Sequence, residues 1–148
     1  MPAINALKQY RPNTIYHVYN RGVNKQDVFF SERDYMVFRN LARTTQYEMA
    51  KTGSQIEVFA FALLPNHFHF ILWQYYERDM VHFMRSLTLK YVKYVNEEYE
   101  RVGNLFMRPY KARLLYTPVQ VAKATRYVLQ NPVDANLPAD WKHVGTKL

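Results

Sequence analysis

Two short apolar runs in the middle of the chain, "QIEVFAFALL" and "HFHFILW", are separated only by Pro65 and Asn66. Proline removes a ladder donor and both residues favour a turn, so the runs read as the two strands of a β-hairpin. A hairpin in this place leaves the flanking segments to supply the outer strands and the covering helices. Upstream, "TIYHVYNRG", Thr14 to Gly22, is β-branched and aromatic and reads as a first strand and turn. "SERDYMVFRNLARTTQYEMA", Ser31 to Ala50, opens on a capping-box-like serine and spaces Tyr35, Phe38, Leu41 and Ala42 as a helix.

Downstream, Met80, Phe83, Met84, Leu87, Tyr91, Tyr94 and Val95 recur every three or four residues between Asp79 and Arg101. This is the longest predicted helix, with a glycine stop in "VGN". "LFMRPYKARLLY", Leu105 to Tyr116, reads as a fourth strand in which Pro109 points to an edge position or a bulge. "TPVQVAKATRYVLQNP" then offers Thr117 as a cap and Pro118 at the first helical position. Because Pro132 disfavours helix at the residue before it, this third helix is expected to end at Gln130 or Asn131.

The order is β-α-β-β-α-β plus a helix. It predicts an α+β, ferredoxin-like fold: an antiparallel four-stranded sheet with two helices on one face and the additional C-terminal helix free to cover the other. With 148 residues, of which 49% are hydrophobic, the chain is read as one domain over 1–148. The ordered core is expected over about 14–137, the tail "ADWKHVGTKL" being only partly ordered. Cysteine is absent, which removes disulfides and thiolate metal sites. No apolar run approaches the ~18 residues of a membrane span, and the reading is of a cytoplasmic protein with no membrane partner.

The net charge of +8 favours a polyanionic partner. Its distribution is sharper than its size: Arg101, Arg108, Lys111, Arg113, Lys123 and Arg126 occur in a stretch without Asp or Glu. Thirteen Tyr and nine Phe offer faces on which unpaired bases can stack, although the core claims most of them.

Period-two alternation along "HFHFILW" puts His67, His69, Ile71 and Trp73 on one face and Phe68, Phe70 and Leu72 on the other. Spacing alone leaves two readings of the histidines about even: packed imidazoles satisfied by hydrogen bonds, or part of a metal site. Tyr127 and Asn131 are four residues apart and share one face of the third helix. Laid over the histidines, that face would bring an amide oxygen to two imidazoles, leave coordination positions open for phosphate, and present a phenol to the phosphorus. Lys123 and Arg126 add cations nearby, or are simply a solvated face.

Taken together, "YHVYNRGVNKQDVF", "VFAFALLPNHFHFIL", "YVKYVNEEYERVGNLFMRPYKA" and "RYVLQNPVDANL", in this order and spacing, resemble the bacterial single-tyrosine HUH transposases. Within that superfamily they resemble the REP-associated tyrosine transposases, over roughly residues 14 to 137. The resemblance implies that His67 and His69 bind a divalent ion, Mg²⁺ or Mn²⁺, with Asn131 in the place of a helix-borne third ligand. It implies that Tyr127 cuts single-stranded DNA, becoming linked to the 5′-phosphate and releasing a 3′-hydroxyl. It further implies hairpin DNA as partner and a homodimer. That the sequence ends soon after the third helix is read as an expectation of no accessory DNA-binding domain. The DNA contacts are expected from Asn20, Arg21, Arg108, Lys111 and Arg113, with Lys123 and Arg126 beside the tyrosine. Met107 departs from the family, whose members commonly carry glutamine there.

Two other readings stand beside the enzyme. One is a non-catalytic hairpin DNA- or RNA-binding module, for which no RNP1-like pattern is found. The other is a small metalloprotein acting on nucleotides, for which four scattered glycines give no phosphate-binding signature.

Overall fold

The computed structural model describes residues 10–148. The elements run β1 (Thr14–Arg21), a 3₁₀ turn (Val23–Lys25), α1 (Glu32–Lys51), β2 (Ile56–Leu64) and β3 (His67–Gln74), followed by α2 (Asp79–Glu98), β4 (Lys111–Leu115), α3 (Pro118–Asp134) and β5 (Val144–Gly145). The sheet order is β4-β1-β3-β2-β5 with every pairing antiparallel. The first four strands therefore have the ferredoxin-like arrangement expected from the order of elements, in an α+β fold.

The alternation in the strands sorts residues into two layers. Tyr16, Val18, Phe61, Leu63, Phe68, Phe70 and Leu72 join Phe38, Phe83, Leu87 and Tyr91 in one core, which α1 and α2 cover. On the other face, Ala60, Ala62, Leu64, Ile71 and Leu115 meet Val128 of α3 in a second, smaller cluster. The alanines of β2 bring no bulk to this face, which lets a helix settle directly on the sheet. Phe70 is fully buried and touches the rings of Phe38, Phe68 and Phe83. Phe70→Ala is expected to cost about 3–5 kcal/mol of stability, read as a lower midpoint in urea unfolding.

Capping fixes where α1 and α3 begin. The Asp34 carboxylate accepts the backbone N–H groups of Phe30 and Ser31 at 2.7 and 3.0 Å, closing the first turn of α1. In α3, Gln120 N–H donates to Thr117 Oγ1 at 3.2 Å and Thr117 N–H donates to Gln120 Oε1 at 3.3 Å, a reciprocal capping box with Pro118 following the cap.

Two expected element bounds are corrected. The fourth strand begins at Lys111 rather than Leu105. Leu105 and Phe106 are instead tucked into the first core, Phe106 forms an isolated bridge with Gly22, and the ladder resumes beyond Pro109, which has no N–H to give it. The third helix runs through Pro132 to Asp134. A proline in the last turn removes one backbone donor, while Ala135 N–H to Asn131 O and Leu137 N–H to Pro132 O, at 3.0 and 2.9 Å, close the end after it. The tail packs along the outer edge of β2, which has backbone groups to satisfy. Leu63 N–H donates to His143 O at 2.8 Å and Trp141 Nε1 donates to Leu63 O at 2.9 Å, while the His143 ring stacks on Tyr35 at 4.1 Å. Among the described residues no helix is long and apolar enough to cross a membrane.

Candidate active site

The α3 face of the sheet carries the chemistry. In β3 it holds His67 and His69, as alternation requires, with Phe68 and Phe70 anchored in the opposite core. In β1 it holds His17 and Tyr19, which the register sets beside Ile71 and His69. In β4 it holds Lys111 and Arg113, paired with Tyr19 and His17. Helix α3 crosses above, and Gln120, Ala124, Tyr127 and Asn131 follow each other along it at steps of three or four residues.

Helix and strand meet at His67: its Nε2 lies 3.1 Å from Asn131 Oδ1, and its Nδ1 lies 2.7 Å from Asn66 Oδ1. An Nδ1–H donating to Asn66 leaves Nε2 with a lone pair directed toward the amide of Asn131. Two acceptors at that separation are reconciled by a cation beside them, or by the amide turning its N–H₂ to the ring. His69 is 5% exposed, and its Nδ1 lies 2.9 Å from Nε2 of His17, itself 9% exposed. If Nδ1 donates to His17, the lone pair of His69 is on Nε2. Asn66 and His17 thus each engage the Nδ1 of one ring, Asn66 that of His67 and His17 that of His69, which fixes the two ring orientations.

Burial keeps all three imidazoles uncharged at neutral pH. It lowers His17 to about 4, with the Arg113 charge adding to the effect. It lowers His69 to about 3, with His17 and His67 adding. His67 is also lowered by burial, against which its contact with Asn131 acts. The unfolded chain, with its histidines near 6.5, binds protons that the folded chain does not, so stability is full above pH 6.5 and is lost as pH falls from 6.5 through the folded values of about 4 for His17 and about 3 for His69. Thermal melts are expected to show Tm rising across that window, with a smaller rise in His17→Gln.

Tyr127 is half exposed, its ring edge-on to His69 and His17 at 5.7 and 5.9 Å. It lines two cavities. One, of about 360 Å³, takes Asn20, Arg21, His67 and Lys111 into its wall. The other, of about 460 Å³, takes His17, Arg113, Gln120 and Lys123. Of the expected DNA-contacting residues, five therefore surround Tyr127, whereas Arg108 and Arg126 are exposed and line neither cavity. Asn20 is tied by its Nδ2 to Met107 O at 2.9 Å, and Arg21 Nε donates to Met107 Sδ at 3.1 Å, so Met107 serves as a partner inside the basic rim. Gly22 has room only for hydrogen at its Cα, because a Cβ would run into the carbonyl oxygen of Gln26.

His17 and Tyr19 were not among the residues expected from sequence. The signal for them is the alternation in "TIYHVYNRG" combined with a strand order that places β1 beside β3. Among the described residues no group of three or more His, Cys, Asp or Glu is disposed to hold a metal ion. His17 is spent on orienting His69, so a cation here depends on His67, His69 and the Asn131 amide. That set, two imidazole nitrogens and one neutral oxygen with a wide opening beside it, fits a divalent ion that keeps other ligands.

No family model and no curated protein matches the chain. Among the solved structures similar to it are two described as transposases. One is a REP-associated tyrosine transposase bound to a REP hairpin, at TM-score 0.74 and 15% identity, covering 97% of this chain and 82% of that one. The other is a candidate transposase of Deinococcus radiodurans R1, at TM-score 0.52 and 15% identity, covering 89% of this chain and 97% of that one. The chain has the fold of a REP-associated tyrosine transposase, the family that its motifs resemble.

Proposed function

We propose that the protein is a metal-dependent, single-stranded DNA endonuclease and strand transferase that recognises hairpin DNA. The observation that carries the reading is the convergence of α3 on β3. Asn131 meets His67 at 3.1 Å and Tyr127 stands over His69, although some sixty residues separate the two segments. A helix packed only for its apolar stripe would need Val128 and Pro132, which are buried, but neither a half-exposed Tyr127 nor an amide aimed at an imidazole. The similar REP-associated tyrosine transposase is bound to a REP hairpin, which makes hairpin DNA the partner of choice for this chain too.

In this reading His67, His69 and Asn131 hold Mg²⁺ or Mn²⁺, which supplies Lewis-acid polarisation of a phosphate oxygen. The Tyr127 oxygen attacks the phosphorus as its proton leaves. A bond from Tyr127 to the 5′-phosphate forms, the bond from phosphorus to the 3′-oxygen breaks, and that oxygen departs as a 3′-hydroxyl after gaining a proton. The phosphotyrosine keeps the energy of the broken bond, so a second 3′-hydroxyl can reverse the step on another strand. Lys111, Arg113 and Lys123, around Tyr127, offset phosphate charge, and Arg21 and Asn20 position the flanking backbone.

The test is incubation of the full chain with a labelled DNA hairpin carrying single-stranded flanks. Cleavage and a covalent protein–DNA species are expected with Mg²⁺ or Mn²⁺. Cleavage that persists unchanged in EDTA contradicts the role of the ion.

A further inference from the structure

On β4, alternation sets Lys111, Arg113 and Leu115 on the α3 face, beside Tyr19, His17 and Ile15 of β1. Lys111 lines the cavity of 360 Å³ and Arg113 that of 460 Å³, while Leu115 lines both the latter and a third groove of about 620 Å³. The three make one furrow along the β4 side of the sheet, which starts beside Arg21 and passes Tyr127. It runs on beyond the proposed catalytic residues and ends where β1 and α3 begin, among Arg11, Thr14, Tyr116 and Thr117.

That far end is held in place by the backbone around it. Tyr116 is 66% exposed, with the Arg11 guanidinium 5.7 Å from its ring centroid. Tyr116 N–H donates to Gln120 Oε1 at 2.6 Å in the cap of α3. Arg11 N–H donates to Tyr16 Oη at 2.7 Å, and Gln74 Nε2 donates to Arg11 O at 2.8 Å. Asn13, in the left-handed region at φ 50°, closes the wall: its N–H donates to Tyr75 O at 2.9 Å and its Oδ1 accepts Trp73 Nε1 at 2.8 Å. Ile15, Leu114, Pro118 and Val121 give the groove apolar surface. Among the described residues no Asp or Glu lines it, and Glu57, which the register puts opposite Trp73, lies outside it.

An exposed aromatic ring with a cation at its side, on apolar surface free of carboxylates, suits an unpaired base, and the cations of the furrow suit the phosphates that lead to it. We propose that the 620 Å³ groove docks the single-stranded flank of a DNA hairpin at a distance from the cleaved bond, one base stacking on Tyr116 beside Arg11. The proposal rests on the reading of the protein as one that binds hairpin DNA. From Pro118, at the groove, to Tyr127 the helix rises about 14 Å, on the order of four nucleotides at roughly 3.4 Å each. Stacking accepts every base, so the groove gauges the length of the flank and not its sequence.

The experiment measures hairpin binding to the full chain by fluorescence anisotropy in EDTA, with the single-stranded flank lengthened one nucleotide at a time on either side of the stem. On one side affinity is expected to rise about 5–100-fold once the flank reaches the groove, whichever base stands there, and to fall back when that nucleotide is abasic. Tyr116→Ala should erase the gain while binding the short-flank hairpin as the parent does, and Tyr116→Phe should keep it. Arg11→Met should diminish the gain and lower the slope of log affinity against log salt by about 0.7, as loss of one cation from a single-strand site does. No gain on either side, or a gain that survives Tyr116→Ala, overturns the docking site and leaves hairpin binding standing. A Tyr116→Ala chain that differs from the parent only in sedimentation overturns it too, and makes the surface a contact between copies. A chain that binds no hairpin at any flank length removes the proposed function and the docking site with it.

Discussion

His67→Ala and His69→Ala are each expected to lower DNA cleavage by about 10²–10⁴-fold, the several kcal/mol that ion-assisted charge stabilisation contributes to such a step. Hairpin binding should change little, because the cations around the cleft lie on other elements: Arg21 on β1, Lys111 and Arg113 on β4, and Lys123 on α3. The fold should survive, since both imidazoles face the α3 side and the strand is anchored by Phe68 and Phe70 in the opposite core. Calorimetric titration with Mn²⁺ separates this account from simple damage: each variant is expected to lose Mn²⁺ binding while keeping a cooperative thermal melt, the melt of His69→Ala being lowered by the unpaired, buried His17. His17→Asn keeps both ligands but frees the His69 ring to turn, and is expected to weaken Mn²⁺ binding about 10–100-fold, as removal of an orienting partner does. Undiminished Mn²⁺ affinity in His67→Ala would leave the imidazole pair as packing.

Tyr127→Phe has the larger effect on turnover. It removes one oxygen from a half-exposed ring that makes edge contacts with His17 and His69 and makes no hydrogen bond among the described residues. Stability is therefore expected to be unchanged within about 0.5 kcal/mol, the range of surface substitutions that break nothing. Cleavage should fall by roughly 10³-fold or more, because loss of a covalent nucleophile leaves only positioning and electrostatics. Mn²⁺ binding and hairpin binding should be retained, so the variant separates recognition from chemistry in gel-shift and cleavage assays on one oligonucleotide. Asn131→Ala is expected to behave differently, leaving the phenol in place and weakening Mn²⁺ binding instead.

The sequence carried the architecture through short-range patterns. Alternation assigned every residue of "HFHFILW" to its face, and the steps from Thr117 to Asn131 placed cap, tyrosine and amide on one helix. What it lacked was register. His17 lies in a strand whose pairing with β3 is set by long-range packing, so no spacing announced that its ring would reach Nδ1 of His69. The tail escaped for a similar reason, since Trp141 and His143 have meaning only once the β2 edge and the Tyr35 ring are in place. Pro132 misled because its local preference is real, but at the last turn the lost donor is one bond and burial of the ring holds the helix on. The same packing bears on the RNA-binding alternative: α3 lies on the sheet face that such a module would leave open for stacked bases.

The central claim is that Tyr127 becomes joined to DNA. The measurement that bears on it most directly is peptide mapping by mass spectrometry after reaction with a cleavable hairpin, Mn²⁺ and nuclease trimming. The account predicts a nucleotide-sized mass increment on Tyr127 alone, absent without the ion and absent in Tyr127→Phe. An increment on another residue, or cleavage that leaves no protein-bound nucleotide, would contradict it.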